Sequence, residues 1–208
     1  MPTYLSVSFQ YSKEKITGQT VRHFCDALLR SGLSFAGGYW ESEGASYDEI
    51  VCWNQRKLEQ NFELGDAEHY SHDYKQMLFN YMDFSEVRLF IMNERESPYF
   101  SFELIIPEKE FFIPTPHTEA LRLDRLELVE NLAVQLWACE TMDCIQAGWE
   151  LADEAVSYAD IAAGKPPRMC PFCIIPQSIL REEWQVEYRR VGRDGICIRD
   201  VQGFQEMK

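Results

Sequence analysis

Alternation of apolar and polar residues predicts a strand at the start of the chain. In residues 4–11 the two kinds of side chain take turns. The apolar positions are Leu5, Val7, Phe9 and Tyr11, and the polar ones are Ser6, Ser8 and Gln10. Successive side chains of a strand point to opposite faces of a sheet. This strand should therefore bury one face.

Apolar residues that recur every three or four positions predict helices further along the chain. Ser46 and Glu49 have the spacing of a capping box, which favours a helix start. The predicted helices cover residues 17–31, 46–64, 66–82, 124–140 and 157–163.

Shorter alternating runs predict further strands, at residues 35–41, 86–93, 99–107 and 144–152. Near the C-terminus two such runs flank the turn sequence GRDG, which is typical of a hairpin. Strands and helices do not alternate regularly enough for a doubly wound parallel sheet. The prediction is an α+β fold with a mixed, mostly antiparallel sheet, several helices packed on it and a C-terminal β-hairpin.

One domain spanning residues 1–208 is the natural interpretation of this length. Residues 166–208, which contain the hairpin, are predicted either to extend the sheet or to form a small subdomain. The first stretch alternates polar and apolar residues and has no apolar run like that of a signal peptide. No segment has the roughly 20 apolar residues of a membrane span. We therefore expect a cytoplasmic protein that is not in the membrane.

The chain is strongly acidic. It has 34 acidic and 20 basic residues, so its net charge is −14. Such acidity disfavours DNA, RNA and anionic membranes as partners and favours a basic protein. No Lys or Arg occurs between Arg125 and Lys165, and this interval contains eight acids. They are Glu127, Glu130, Glu140, Asp143, Glu150, Asp153, Glu154 and Asp160.

Two interpretations of this acidic interval stay open: a solvated face, or a docking surface for a basic protein. The docking interpretation predicts a set of partner-binding residues within the interval. That set is Glu140, Asp143, Trp149, Glu150, Asp153, Glu154 and Asp160.

Cys170 and Cys173 form a C-x-x-C pair, which occurs in thiol-disulfide sites, in zinc sites and in buried strands. Cys170-Pro171-Phe172-Cys173 resembles the Cys-Pro-aromatic-Cys motif of glutaredoxins. In that family the motif opens a helix, whereas here IIP follows and indicates a strand. Since no second pair exists for zinc, buried strand thiols are the favoured interpretation.

Other candidate chemistry is sparse. His69 and His72 lie one helical turn apart, which suits either a surface helix or a metal site. In GGYWE, residues 37–41, core packing is the favoured role of Tyr39 and Trp40, and an interface hot spot is the alternative. No nucleotide-binding or hydrolase motif occurs. The sequence therefore predicts no cofactor, no metal and no catalytic residues.

In size, acidity and lack of catalytic motifs, the chain resembles the immunity proteins of bacterial toxin systems. That resemblance implies a non-enzymatic protein that docks or neutralises a basic partner. The alternative is an enzyme, either a thiol redox protein that uses Cys170 and Cys173 or a hydrolase without a recognisable motif.

Overall fold

The computed structural model describes residues 3–64, 72–114, 119–150, 155–192 and 194–206. Its strands are β1 (Tyr4–Ser12), β2 (Ser34–Gly38), β3 (Met77–Asn80), β4 (Val87–Asn93), β5 (Tyr99–Pro107), β6 (Phe112–Pro114), β7 (Glu119–Leu121), β8 (Cys144–Trp149), β9 (Phe172–Pro176), β10 (Tyr188–Val191) and β11 (Gly195–Arg199). Its helices are α1 (Thr20–Arg30), α2 (Tyr47–Glu59), α3 (Leu123–Cys139), α4 (Tyr158–Ala163) and α5 (Val201–Glu206).

A nine-stranded sheet organises the described residues. Its strand order is β10-β11-β9-β8-β1-β5-β4-β3-β2, and each neighbouring pair runs antiparallel. The remaining strands, β6 and β7, form a separate ribbon. The α+β class, the largely antiparallel sheet and the C-terminal hairpin are thus confirmed. The hairpin continues the sheet, because β11 pairs with β9 and β9 pairs with β8.

The apolar residues of β1 lie on the face of the sheet that carries α1, α2 and α3. The polar residues Ser6, Ser8 and Gln10 are buried as well, at most 8% exposed, so the expectation that β1 buries only one face is wrong. Leu5, Val7 and Phe9 are each at most 1% exposed and belong to the main core. Phe24 of α1 stacks on Phe102 of β5 with ring centroids 4.0 Å apart, and Phe9 meets the edge of Phe24 at 5.2 Å. Burying each such side chain stabilises the fold by about 1.5–3 kcal/mol.

The opposite face of the sheet is apolar in one region and polar in another. Toward β9 and β11 it buries a second apolar cluster, which includes Ile161 of α4 and Cys173. Near β1 and β5 it is polar. There Ser8 and Ser101 both donate hydrogen bonds of 2.6 Å to the carboxylate of Glu103, which is fully buried.

The helix predicted over residues 66–82 is wrong for its second half. Residues 65–71 lie outside the described residues, but Met77–Asn80 forms β3, between β2 and β4. Met77, Phe79 and Tyr81 are buried at alternate positions, so the same apolar residues also satisfy a period of two. Hydrogen bonding to β2 on one side and to β4 on the other stabilises the strand. A local sequence pattern contains no information on those neighbouring strands.

Candidate functional site

Two of the acids predicted to bind a partner lie just before β8 and already have cationic neighbours. Asp143 forms an ion pair with Lys15 at 2.6 Å and accepts a hydrogen bond from the Ser12 backbone N–H. Glu140 lies 3.8 Å from Arg30, and its pKa is raised because burial disfavours the charged carboxylate. These two acids therefore contribute less negative electrostatic potential at the surface than unpaired carboxylates would.

Trp149 and Glu150 lie at the other end of β8, about 20 Å from Asp143 at 3.3 Å per strand residue. Glu150 is exposed. Trp149 is half-buried and packs against Phe112 and Phe111, with centroid distances of 5.7 and 6.2 Å. Trp149 is therefore largely a packing residue rather than a projecting anchor.

The rest of the acidic interval is divided between the surface and the packed structure. Asp160 is exposed and 4.0 Å from Lys165, and Glu127 is also exposed. Glu130, only 4% exposed, accepts a 2.7 Å hydrogen bond from Arg189 and lies 3.3 Å from Arg199. Asp153 and Glu154 lie outside the described residues. Three of the six described acids are thus exposed, and β8 separates Glu150 from Glu140 and Asp143.

The C-x-x-C pair is split between two environments. Cys170 precedes β9 and lies 3.0 Å from the Asp200 carboxylate. Burial, assisted by Asp200, raises the pKa of the Cys170 thiol to about 12. Cys173 is fully buried in the second apolar cluster, and burial raises its pKa as well. Neither thiol has the lowered pKa on which thiol-disulfide chemistry depends. No group of three or more His, Cys, Asp or Glu residues in the described ranges is placed to hold a metal.

A second stretch without bases, residues 31–55, follows α1 and contains β2 and most of α2. Its four acids, Glu41, Glu43, Asp48 and Glu49, are all exposed. The absence of Lys and Arg that marks the interval 126–164 in the sequence marks this second stretch as well.

A cleft of about 340 Å³ opens beside this second stretch. Its walls are the turn after β2, helix α2 with the residues that follow it, the segment that leads into β3, and one residue of β4. The aromatic residues that line it are Tyr39, Trp40, Trp53, Tyr74 and Phe90. Trp40 is 59% exposed, so the favoured core role of this residue is wrong. A surface Trp beside a cleft suits the interface alternative.

Hydrogen bonds fix the walls of the cleft. Trp53 donates its indole N–H to the backbone carbonyl of Asp73 at 2.8 Å, and Asn54 bonds both the N–H and the carbonyl of Lys75. Ser42 donates to the backbone carbonyl of Gln76 at 2.9 Å, which joins the two walls. The cleft is therefore formed before any ligand arrives.

Charged residues of both signs line the cleft. The acidic lining residues are Glu41, which is exposed, and Asp73, which is buried. Lys75 is the cation among the lining residues, and its ammonium lies 4.7 Å above the Trp53 ring. Arg56 and Lys57 also lie over this ring, at 5.7 and 5.2 Å from its centroid, so cations already surround it.

Fold and site together define an α+β protein with a large antiparallel sheet, two base-free acidic stretches and a preformed aromatic cleft. No protein-family model matches the chain, and the search of curated proteins found no match. Among solved structures the chain is similar to the Pseudomonas aeruginosa T6SS protein PA0821, at 10% sequence identity and a TM-score of 0.42. The alignment covers 95% of this chain but only 65% of the other. A similarity of this size carries no argument on function.

No helix of the described ranges combines the length and the apolar character that crossing a membrane would need.

Proposed function

We propose that this chain is a non-enzymatic binding protein that docks a basic protein partner through its acidic surface. The observation that carries the proposal is the position of the excess negative charge. Both base-free intervals, 31–55 and 126–164, have exposed carboxylates. Exposed charges of one sign attract an oppositely charged partner over several ångströms and speed its association.

The docking surface proposed in the second interval comprises Glu150, Asp153, Glu154 and Asp160, with Glu140, Asp143 and Trp149 at its margins. Glu150 and Asp160 support it, because both are exposed. The paired Glu140 and Asp143 are expected to add less. Trp149 is expected to support the surface through its packing on Phe112 rather than by inserting into the partner.

The raised pKa of Cys170 and Cys173 argues against the thiol redox alternative, because a protonated thiol is a poor nucleophile. Glu150 and Asp160 favour the binding function over the hydrolase alternative, since both are exposed and neither lines the aromatic cleft.

The test is capture of the partner from the native cell, followed by association kinetics at several salt concentrations. We expect a partner of net positive charge whose association rate falls by about tenfold or more as salt rises. The double variant Glu150→Lys and Asp160→Lys should slow association further. A matched control, Glu182→Lys with Glu183→Lys, makes the same change in net charge at exposed positions outside both intervals. Equal rates for the two double variants, or no dependence on salt, would contradict the proposal.

A further inference from the structure

The edge of the sheet at β10 has a sequence that complements itself. We propose that this edge pairs antiparallel with β10 of a second copy of the chain, so that the sheets of two copies become continuous. The contact lies on the C-terminal hairpin, apart from the acidic docking surface proposed above. Three features of the edge support it: its regular register, the order of its charges and the near-neutral segment around it.

The sheet ends at β2 on one side and at β10 on the other. β10 pairs with β11 in an uninterrupted register from Tyr188 to Val191. In the described ranges, no backbone group outside β11 hydrogen-bonds to these residues, so alternate N–H and C=O groups of β10 face outward. The register of β2 is irregular between Phe35 and Gly37, which makes it the poorer edge for pairing. β10 is therefore the more regular of the two edges.

The side chains of β10 alternate between the two faces of the sheet. Arg189 hydrogen-bonds to α3, which places it on the face that carries the large helices. Val186 packs against the second apolar cluster on the opposite face. Tyr188 and Arg190 therefore share the face of Val186, and Glu187 shares the face of Arg189. Residues 187–190 are all exposed, so an approaching strand can reach side chains on both faces.

Antiparallel pairing about a twofold axis through Tyr188 brings complementary side chains together. The two Tyr188 rings then lie opposite each other, and such aromatic pairs stabilise a sheet. On the other face, each Glu187 lies opposite Arg189 of the second copy, which gives two cross-strand ion pairs. A guanidinium has five N–H donors, so Arg189 can keep its 2.7 Å bond to Glu130 while it binds a second carboxylate.

The order of the charges is what makes this edge suitable for a second copy. Charged side chains normally discourage an edge from pairing with a copy of itself, because like charges meet. Here a negative and a positive residue, Glu187 and Arg189, occupy successive positions on one face. In the register centred on Tyr188 neither of them lies opposite a like charge.

The segment around the hairpin is close to neutral, unlike the rest of the chain. Residues 166–208 contain seven Lys or Arg and six Asp or Glu, whereas residues 1–165 contain 13 and 28. A large net charge of one sign keeps copies of a protein apart. Contact through β10 is thus the approach that adds least repulsion. The dimer should be weak and reversible, because one pair of short strands buries little surface.

A cysteine placed at the twofold axis tests the register. Tyr188→Cys in the full chain, with the exposed thiols removed by Cys52→Ser and Cys139→Ser, should form a disulfide between two copies. Opposite Cα atoms of antiparallel strands lie about 4.5–5.5 Å apart, within disulfide reach. Arg190→Cys in the same background is the control, since its counterpart lies about 13 Å further along the strand. With oxidised glutathione, Tyr188→Cys should give covalent dimer at least about tenfold faster than Arg190→Cys.

Sedimentation equilibrium of the unaltered chain, from about 5 to 500 µM, measures the association itself. We expect a reversible dimer that Glu187→Arg weakens about tenfold or more, because like charges then meet at two symmetry-related positions. The matched control Glu183→Arg makes the same change in net charge at an exposed residue outside β10, and it should leave the dimer unchanged.

A monomer over the whole concentration range would overturn the proposal. So would equal weakening by Glu187→Arg and Glu183→Arg, or equal cross-linking of Tyr188→Cys and Arg190→Cys. Neither assay contains a basic partner, so these outcomes leave the docking function to its own test.

Discussion

Cys170 shows at the residue scale how environment, rather than motif spacing, sets chemistry. Its spacing to Cys173 is that of a redox pair, but the two thiols belong to different apolar surroundings. Asp200 next to Cys170 makes a thiolate still less favourable, since two negative charges would then lie about 3.0 Å apart. A C-x-x-C motif by itself contains no information on either of these neighbours.

Cys170 should therefore react slowly with alkylating reagents. A pKa raised to about 12 leaves it protonated at pH 8, and only the thiolate reacts. The exposed Cys52 and Cys139 provide the internal comparison. We expect alkylation of Cys170 to be at least tenfold slower than that of Cys52, as measured by peptide mass spectrometry over time. Cys170 reacting as fast as Cys52 would revive the redox alternative.

Helix α2 shows at the element scale how a local signal positions a site. The capping box predicted at Ser46 and Glu49 is present, with the Ser46 side chain accepting from the Glu49 N–H and the Glu49 carboxylate accepting from the Ser46 N–H. Trp53 and Asn54, in the second turn of this helix, hydrogen-bond to the segment 73–75 and so form one wall of the cleft.

Ser46→Ala should lower the free energy of unfolding by about 1 kcal/mol at neutral pH, because one helix N–H loses its acceptor. The exposed Ser178→Ala is the matched control and should have almost no effect. Chemical denaturation measures both changes.

The cost of Ser46→Ala should also depend on pH. The Glu49 pKa is lowered from 4.5 in the folded state, mainly by its bonds to Ser46. The stabilisation that Glu49 provides is therefore complete above about pH 4.5, and it is lost as the pH falls through the lower pKa of Glu49 in the folded state. A cost that stays constant down to pH 2 would contradict this role of Glu49.

At the scale of the whole molecule, the C-terminal hairpin is joined to the rest by sheet pairing and by side chains. Beyond the β11–β9 pairing, Glu130 of α3 forms ion pairs with Arg189 and Arg199 of the hairpin. Gly195 packs directly against the Trp137 ring of the same helix. We therefore expect residues 166–208 to unfold together with the remainder as part of one domain.

Glu130→Gln should lower the free energy of unfolding by about 1–2 kcal/mol, a value reduced by the partial exposure of both arginines. Hydrogen exchange should show the whole sheet losing protection together. Glu127→Gln is the matched control, because Glu127 is exposed and its contact with Arg199 is 3.5 Å. Loss of protection in β10 and β11 alone would indicate a separate subdomain.

Much of the fold could be predicted because its signals are local. The strand at the N-terminus, the helices that became α1, α2 and α3, and the C-terminal hairpin all follow from side-chain period and capping residues. The prediction of a helix over 66–82 failed in the part that the structure describes. Met77 and Tyr81 fit a sequence period of two residues as well as a period of 3.6. The ribbon of β6 and β7 and helix α5 are three to six residues long, too short to give a periodic signal.

The candidate site was less predictable, because it depends on residues far apart in sequence. The acidic intervals can be read from the chain alone, since composition is independent of folding. The ion pairs of Asp143 with Lys15 and of Glu130 with Arg189 cannot be read from the chain, because the partners lie far apart in sequence. The same holds for the cleft, whose walls come from the β2 turn, α2, the segment before β3, and β4.

The sequence by itself thus determined the class of fold, the excess of negative charge and the start of α2. Only the tertiary structure decided that β1 lies between β5 and β8 and that Trp149 packs on Phe112 while Trp40 is exposed. It also decided that Cys170 and Cys173 belong to different apolar clusters. Period and composition act over a few residues, so a single segment reveals them. Exposure, pairing and thiol pKa are set by the atoms that surround a side chain, and those atoms come together only when the sheet forms.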